Sequence, residues 1–139
     1  MKKLKTLILL FPLTALFAFN TYSQFNVSYY DGGFQKIGVG YQISPRIWTE
    51  VRSFTDFWFE DTPMELVACY NIVHRGRHNI YAGLGVNVNI VSGFNIPLGL
   101  QFIPLETYNN FSLHIELQPI MDYNSGLMLQ GYWGIRYVF

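Results

Sequence analysis

Residues 79–90 read Asn79-Ile80-Tyr81-Ala82-Gly83-Leu84-Gly85-Val86-Asn87-Val88-Asn89-Ile90. Asn79, Tyr81, Gly83, Gly85, Asn87 and Asn89 fall on one parity; Ile80, Ala82, Leu84, Val86, Val88 and Ile90 fall on the other. Successive side chains of a strand point to opposite faces, so this stretch is a strand with one apolar face and one polar or small face. The same alternation returns in 111–118, where Phe111, Leu113, Ile115 and Leu117 interleave with Ser112, His114, Glu116 and Gln118. It returns again in 127–139, where Leu127, Leu129, Gly131, Trp133, Ile135, Tyr137 and Phe139 interleave with Met128, Gln130, Tyr132, Gly134, Arg136 and Val138.

Turn-forming clusters separate such stretches. They are Asp31-Gly32-Gly33, Ser44-Pro45-Arg46, Glu60-Asp61-Thr62-Pro63, His74-Arg75-Gly76-Arg77, Val91-Ser92-Gly93, Pro104 to Asn110, and Tyr123-Asn124-Ser125-Gly126. Seven breaks bound eight predicted strands, near 25–30, 34–43, 47–59, 64–73, 78–90, 94–103, 111–122 and 127–139. No helical periodicity interrupts them. Even spacing and an even strand count predict an all-β, up-and-down antiparallel barrel, because closure removes the exposed sheet edges.

Charge then decides which face points outward. Only 13% of the 139 residues are charged, about half of the roughly 25% usual in soluble domains. The polar strand faces carry three cations, Lys36, Arg52 and Arg136, and three anions, Glu50, Glu65 and Glu116; the rest is Gly, Asn, Gln and Ser. That is too little charge for a water-facing shell. It suits a narrow lumen in which opposite charges pair, since an isolated buried charge costs several kcal/mol. The opposite face holds Ile37, Val39, Tyr41, Ile43, Leu66, Leu84, Val86, Leu98, Leu100, Leu113, Ile115, Leu117 and Ile135, and it is expected to meet lipid. Aromatics near the strand ends predict two interfacial girdles. One contains Tyr29, Tyr30, Phe34, Phe57, Trp58, Phe59, Phe94 and Tyr123; the other contains Phe25, Trp48, Tyr108, Phe111, Tyr137 and Phe139.

The chain opens with Lys2, Lys3 and Lys5 followed by the apolar run 7–19. That run covers roughly 20 Å as a helix, short of the ~30 Å hydrocarbon core. It reads as a secretory signal peptide, cleaved after Ser23, leaving 24–139 as one barrel domain. The Ser-Gln junction resembles leaders of Bacteroidetes-type bacteria. Without its three leader lysines the chain has six Lys+Arg against nine Asp+Glu, a net charge of −3. No basic excess points to nucleic acid. The single cysteine, Cys69, excludes an internal disulfide and reads as a small lumen filler.

The final residues, Tyr132-Trp133-Gly134-Ile135-Arg136-Tyr137-Val138-Phe139, resemble the C-terminal β-signal of bacterial outer-membrane proteins. Tyr132, Gly134, Tyr137 and Phe139 fill its defining places. With the leader and eight strands, the chain resembles small outer-membrane barrels of the OmpA/OmpX type. The resemblance implies that the barrel-assembly machinery reads these four residues and that both chain ends face the periplasm. It also implies that the breaks near 31–33, 60–63, 91–93 and 123–126 face outward from the cell, where lipopolysaccharide is the neighbouring lipid. These outer turns are shorter than is usual for such barrels, which leaves little room for a recognition loop. Asp31, Asp56, Glu60, Asp61 and Asp122 gather at that rim and read as solvated turn residues. Arg46, Arg75 and Arg77 gather at the other, with Glu106.

Ser112, His114 and Glu116 have the residue types of an acyl-transfer triad. Neighbours at i and i+2 on a strand stand roughly 7 Å apart, too far for direct hydrogen bonding, and this face is expected inside the barrel. They read instead as a structural network. A hairpin centred on Asn124–Ser125 sets His114 nearly opposite Arg136, making Arg136 the expected partner of Glu116. The lumen network is thus Lys36, Glu50, Arg52, Glu65, His114, Glu116 and Arg136. His74 and His78 flank a basic turn and read as solvated. Gly83 and Gly85 precede no helix and are no dinucleotide fingerprint. No catalytic group, cofactor or metal is expected. The expected function is a monomeric outer-membrane barrel with a structural or membrane-stabilising role and no wide pore, because eight strands enclose room for side chains only. A lipid A deacylase-like enzyme and a soluble lipocalin-like binder are the competing readings.

Overall fold

The computed structural model describes residues 24–56, 62–89 and 92–139. The expected leader, 1–23, and the rim aromatics Phe57, Trp58 and Phe59 lie outside the described residues. Nine strand segments follow in order: β1 (Phe25–Gly32), β2 (Lys36–Gln42), β3 (Ile47–Phe54), β4 (Met64–Arg75), β5 (His78–Val88), β6 (Gly93–Asn95), β7 (Leu98–Phe102), β8 (Phe111–Asp122) and β9 (Gly126–Val138). Each pairs antiparallel with its neighbour, and β1 pairs with β9 to close the sheet. Both β6 and β7 lie between β5 and β8, so together they form one stave. The result is an eight-stave, up-and-down barrel, as the alternation predicted.

The predicted strand 94–103 is broken at Ile96-Pro97, a correction with a simple cause. Proline has no N–H for the ladder. The stave stays in place because its remaining groups are used: Ile96 N–H donates to Pro119 O at 3.0 Å, and Gly83 N–H donates to Pro97 O at 2.9 Å. Parity passes through the break, with Asn95 and Pro97 buried and Phe94, Ile96 and Leu98 exposed. Two other ends are shorter than predicted. β3 stops at Phe54 and β5 stops at Val88, after which Asn89 takes a φ of 78°, a left-handed conformation that Asn tolerates better than most residues. A bulge between Asn71 and Val73 shifts the β4–β5 register near one rim.

Period two is followed almost without exception. On β8, Ser112, His114, Glu116, Gln118, Ile120 and Asp122 are buried while Leu113, Ile115, Leu117 and Met121 are exposed. Among the described residues, thirty-two large apolar side chains are exposed and sixteen polar or charged residues are buried, against eight buried hydrophobics. This inverts the arrangement of a water-soluble domain. All the residues expected on the lipid face are exposed, Tyr41 partly so. The girdles require two corrections. Tyr30 and Trp48 are 1% and 3% exposed; their parity turns them into the lumen although both sit near strand ends. Phe94 and Tyr123 remain paired at one rim, and Phe25 with Tyr41, and Tyr137 with Phe139, at the other.

Glycines on the inner face make room for large side chains. A Cβ on Gly99 would run into the Tyr81 ring, and one on Gly134 into the Tyr30 ring and the Tyr29 carbonyl. Gly131 faces outward and a Cβ there meets nothing within 4 Å. We expect Gly99→Ala to cost about 1–3 kcal/mol by overpacking and Gly131→Ala to stay within about 0.5 kcal/mol. Urea midpoints of the two variants in detergent compare them, and equal midpoints would refute the packing argument.

Candidate functional site

The lumen is built around Arg52, which is fully buried on β3. Its Nε donates to Glu50 Oε1 at 2.8 Å. Nη1 donates to Glu116 Oε1 at 2.6 Å and to Glu65 Oε1 at 3.0 Å. Nη2 donates to Glu116 Oε2 at 2.9 Å and to the Tyr30 hydroxyl at 3.1 Å. The two bonds to Glu116 form the parallel fork that makes Arg–carboxylate pairs strong and geometrically specific. One guanidinium thus meets the carboxylates of Glu50, Glu65 and Glu116.

Lys36 and Arg136 complete the charge balance from opposite ends. Lys36 Nζ donates to Glu65 Oε2 at 2.9 Å and to Gln118 Oε1 at 2.6 Å. Gln118 Nε2 returns to Glu65 Oε1 at 2.7 Å. The Lys36 ammonium sits 3.8 Å over the Tyr132 ring and 5.0 Å from that of Phe54, a desolvated cation–π arrangement. Arg136 Nη2 donates to Glu50 Oε2 at 2.8 Å and to the Tyr30 hydroxyl at 2.9 Å, and its guanidinium lies 4.1 Å from the Trp48 ring. These pairs join staves that are not neighbours: β3 to β8, β9 to β3, and β2 to both β4 and β8. Such crossings hold the barrel's cross-section and fill it.

Arg136 is therefore the partner of Glu50, and the expected Arg136–Glu116 pair is corrected. The register explains it. Asp122 stands opposite Gly126, so the hairpin is centred on Asn124 alone, and Gly126 takes a φ of +81°. The three loop residues 123–125 are thus followed by a left-handed glycine at the start of β9, a conformation that glycine adopts without steric cost. It places Ser112 opposite Arg136 and His114 opposite Gly134.

The comparisons with known proteins bear on this architecture. No family model matches the chain and no curated protein does. Two solved structures match it. One is a de novo designed transmembrane β-barrel, with a TM-score of 0.58 and 17% identity, covering 84% of this chain and 94% of that one. The other is the N-terminal β-barrel domain of Pseudomonas aeruginosa OprF, with a TM-score of 0.57 and 16% identity, covering 84% of this chain and 96% of that one. The chain has the fold of a small transmembrane β-barrel.

The other polar side chains of the inner face are packed inside the barrel. Ser112 Oγ and His114 Nε2 are 3.1 Å apart, so the expectation that i and i+2 neighbours stand too far apart to bond is corrected. The imidazole leans along the strand and spans the gap. His114 Nδ1 lies 3.4 Å from the Tyr81 hydroxyl, which donates to Glu116 Oε2 at 2.6 Å. Ser112, His114 and Glu116 are thus linked through Tyr81, but Ser112 is 2% exposed and accepts a bond from Gln101 Nε2 at 2.9 Å. Cys69 is buried against Trp48, Val67 and Tyr81. His74 bonds Asn79 at 2.8 Å while His78 tilts against Phe102, so the structure does not bring the two together.

The sequence reading did not single out Tyr30, Trp48, Tyr81 or Gln118 for the network. Their inward parity was the available signal. The assembly-signal residues divide by the same rule: Tyr132 and Gly134 face in, and Tyr137 and Phe139 face out.

Proposed function

We propose that the chain is an integral barrel of the bacterial outer membrane with a structural, membrane-stabilising role, without catalysis or a wide pore. The observation that carries this reading is the inverted arrangement itself: an apolar exterior around a lumen occupied by Arg52, Lys36, Arg136 and their three carboxylates. A lipid hydrocarbon core is the solvent that such an exterior matches. Charge-paired side chains and aromatic rings take the space through which ions would pass. The nucleophile reading of Ser112 lacks an open route for a lipid substrate, since the residue is buried on the inner face of the barrel. Lipid and lipopolysaccharide surround the barrel in this reading, the protein acts as a monomer, and the barrel-assembly machinery takes it up through Tyr132, Gly134, Tyr137 and Phe139. A cleaved leader fits the same route.

The test is fractionation of cells expressing the full chain, followed by planar-bilayer recording of the purified barrel. We expect the protein to resist carbonate extraction and to migrate differently on gels before and after heating. We also expect no sustained large conductance. Release by carbonate would overturn the membrane placement; a steady open channel would overturn the sealed lumen.

A further inference from the structure

Most of the outer face carries Leu, Ile, Val or aromatic side chains, but part of β4 and β5 does not. Ala68 and Ala82 are staggered there, Ala68 opposite Leu84 and Ala82 opposite Tyr70. Between Ile47, Tyr70 and Leu84 they leave an open groove of about 470 Å3, within the size range of ligand pockets. The groove runs from the rim at the β2–β3 turn toward the middle of the barrel. Arg46 stands at its rim end and donates from Nη1 to the Tyr70 hydroxyl at 3.4 Å. Among the described residues no carboxylate lies within ion-pair distance of Arg46, whereas Arg77 on the same rim is neutralised by Glu106 at 2.8 Å. An apolar trough thus ends at an uncompensated guanidinium held beside a phenol.

We propose that this groove binds one anionic phospholipid, with its phosphate on Arg46 and the Tyr70 hydroxyl and one acyl chain lying over Ala68 and Ala82. The inference rests on the membrane placement proposed above, with this rim, the one that carries both chain ends, at one leaflet of the bilayer. Three observations select the ligand. The trough is apolar and opens sideways, so its occupant comes from the hydrocarbon phase. Guanidinium presents a planar set of donors suited to phosphate oxygens, and the phenol can accept from Arg46 while donating to the same phosphate. Among the described residues no carboxylate pairs with Arg46, and Glu106 on this rim is taken by Arg77, which favours a lipid with net negative charge over a zwitterionic one. A second copy of the chain is a poor occupant, because stable protein contacts take roughly 20–30 residues a side and this hollow covers parts of three strands.

The test uses the folded barrel in mixed micelles containing equal phosphatidylglycerol and phosphatidylcholine, with bound lipid read by native mass spectrometry. We expect one retained phosphatidylglycerol per barrel and little phosphatidylcholine. Arg46→Gln, which removes the charge, should lower retention about fivefold, the effect of one basic residue near a lipid surface, and Ala68→Leu, which fills the trough, should lower it as well. Ala82→Leu fills the same trough and serves if Ala68→Leu fails to fold. Arg75→Gln alters an exposed charge on the same rim and should retain lipid as the parent does. Equal retention of the two lipids, unchanged retention in Arg46→Gln and the filled variants, or an equal loss in Arg75→Gln would overturn the site. Preferred retention of lipid A from a third micelle would overturn the commitment to a phospholipid. Heat-dependent gel mobility on the same samples separates the two readings: a folded barrel without selective retention sinks this site alone, and failure to fold in micelles sinks the membrane placement with it.

Discussion

Arg52→Met is expected to shift the unfolding midpoint of the barrel further than any other single lumen substitution. The guanidinium meets Glu50, Glu65 and Glu116 at once. Methionine fills much of its volume but leaves three buried carboxylates facing two cations, Lys36 and Arg136. Removing one partner of a buried ion pair costs about 3–5 kcal/mol, because the remaining charge keeps its desolvation penalty without its attraction. Here Glu116 suffers most. Its two oxygens lose both bonds of the fork and keep the bond from the Tyr81 hydroxyl. A paired change, Arg52→Met with Glu116→Gln, should therefore recover part of the loss by removing the stranded charge. Urea titration in lipid vesicles, followed by heat-dependent gel mobility, measures both. A midpoint unchanged in Arg52→Met, or a double variant no better than the single, would show that the network does not hold the barrel together.

Ile115→Arg probes the outer face with an effect of similar size. Ile115 is 66% exposed near the middle of β8, flanked by Leu100 on β7 and Trp133 on β9. In water, an exposed arginine there would change stability by less than about 0.5 kcal/mol. At the midplane of a bilayer it costs about 2–4 kcal/mol, since no lumen carboxylate can reach it through the sheet. We expect the vesicle-inserted variant to lose stability by that amount and Ile115→Val to be nearly neutral. A neutral Ile115→Arg would place this face in water and remove the basis for the membrane reading.

The alternation made the face of each side chain legible in advance. Lys36, Glu50, Arg52, Glu65, Glu116 and Arg136 share the parity that turns inward, and they lie inside. Tyr30 and Trp48 obey the same parity, which outweighs their position near strand ends. Who bonds to whom was not legible. Arg52 and Glu116 are 64 residues apart and meet only because closure brings β3 and β8 across a narrow lumen. The Arg136 partner depended on the loop at Asn124, where a shift of two residues on one strand exchanges every cross-strand neighbour. Backbone spacing alone keeps Ser112 and His114 apart, but an imidazole is long enough to lean along its strand and close the gap.

Sequence by itself determined the barrel, the inward and outward sets and the matching of three cations to three anions. Each of these follows from period-two geometry and from the cost of an unpaired charge away from water, which are local or compositional. Tertiary structure alone decided that Arg52 is the centre of the network, that Arg136 belongs to Glu50, and that Ala68, Ala82, Tyr70 and Arg46 meet in one groove. Those contacts are set by register and closure, and by side-chain reach across distances that no stretch of sequence records.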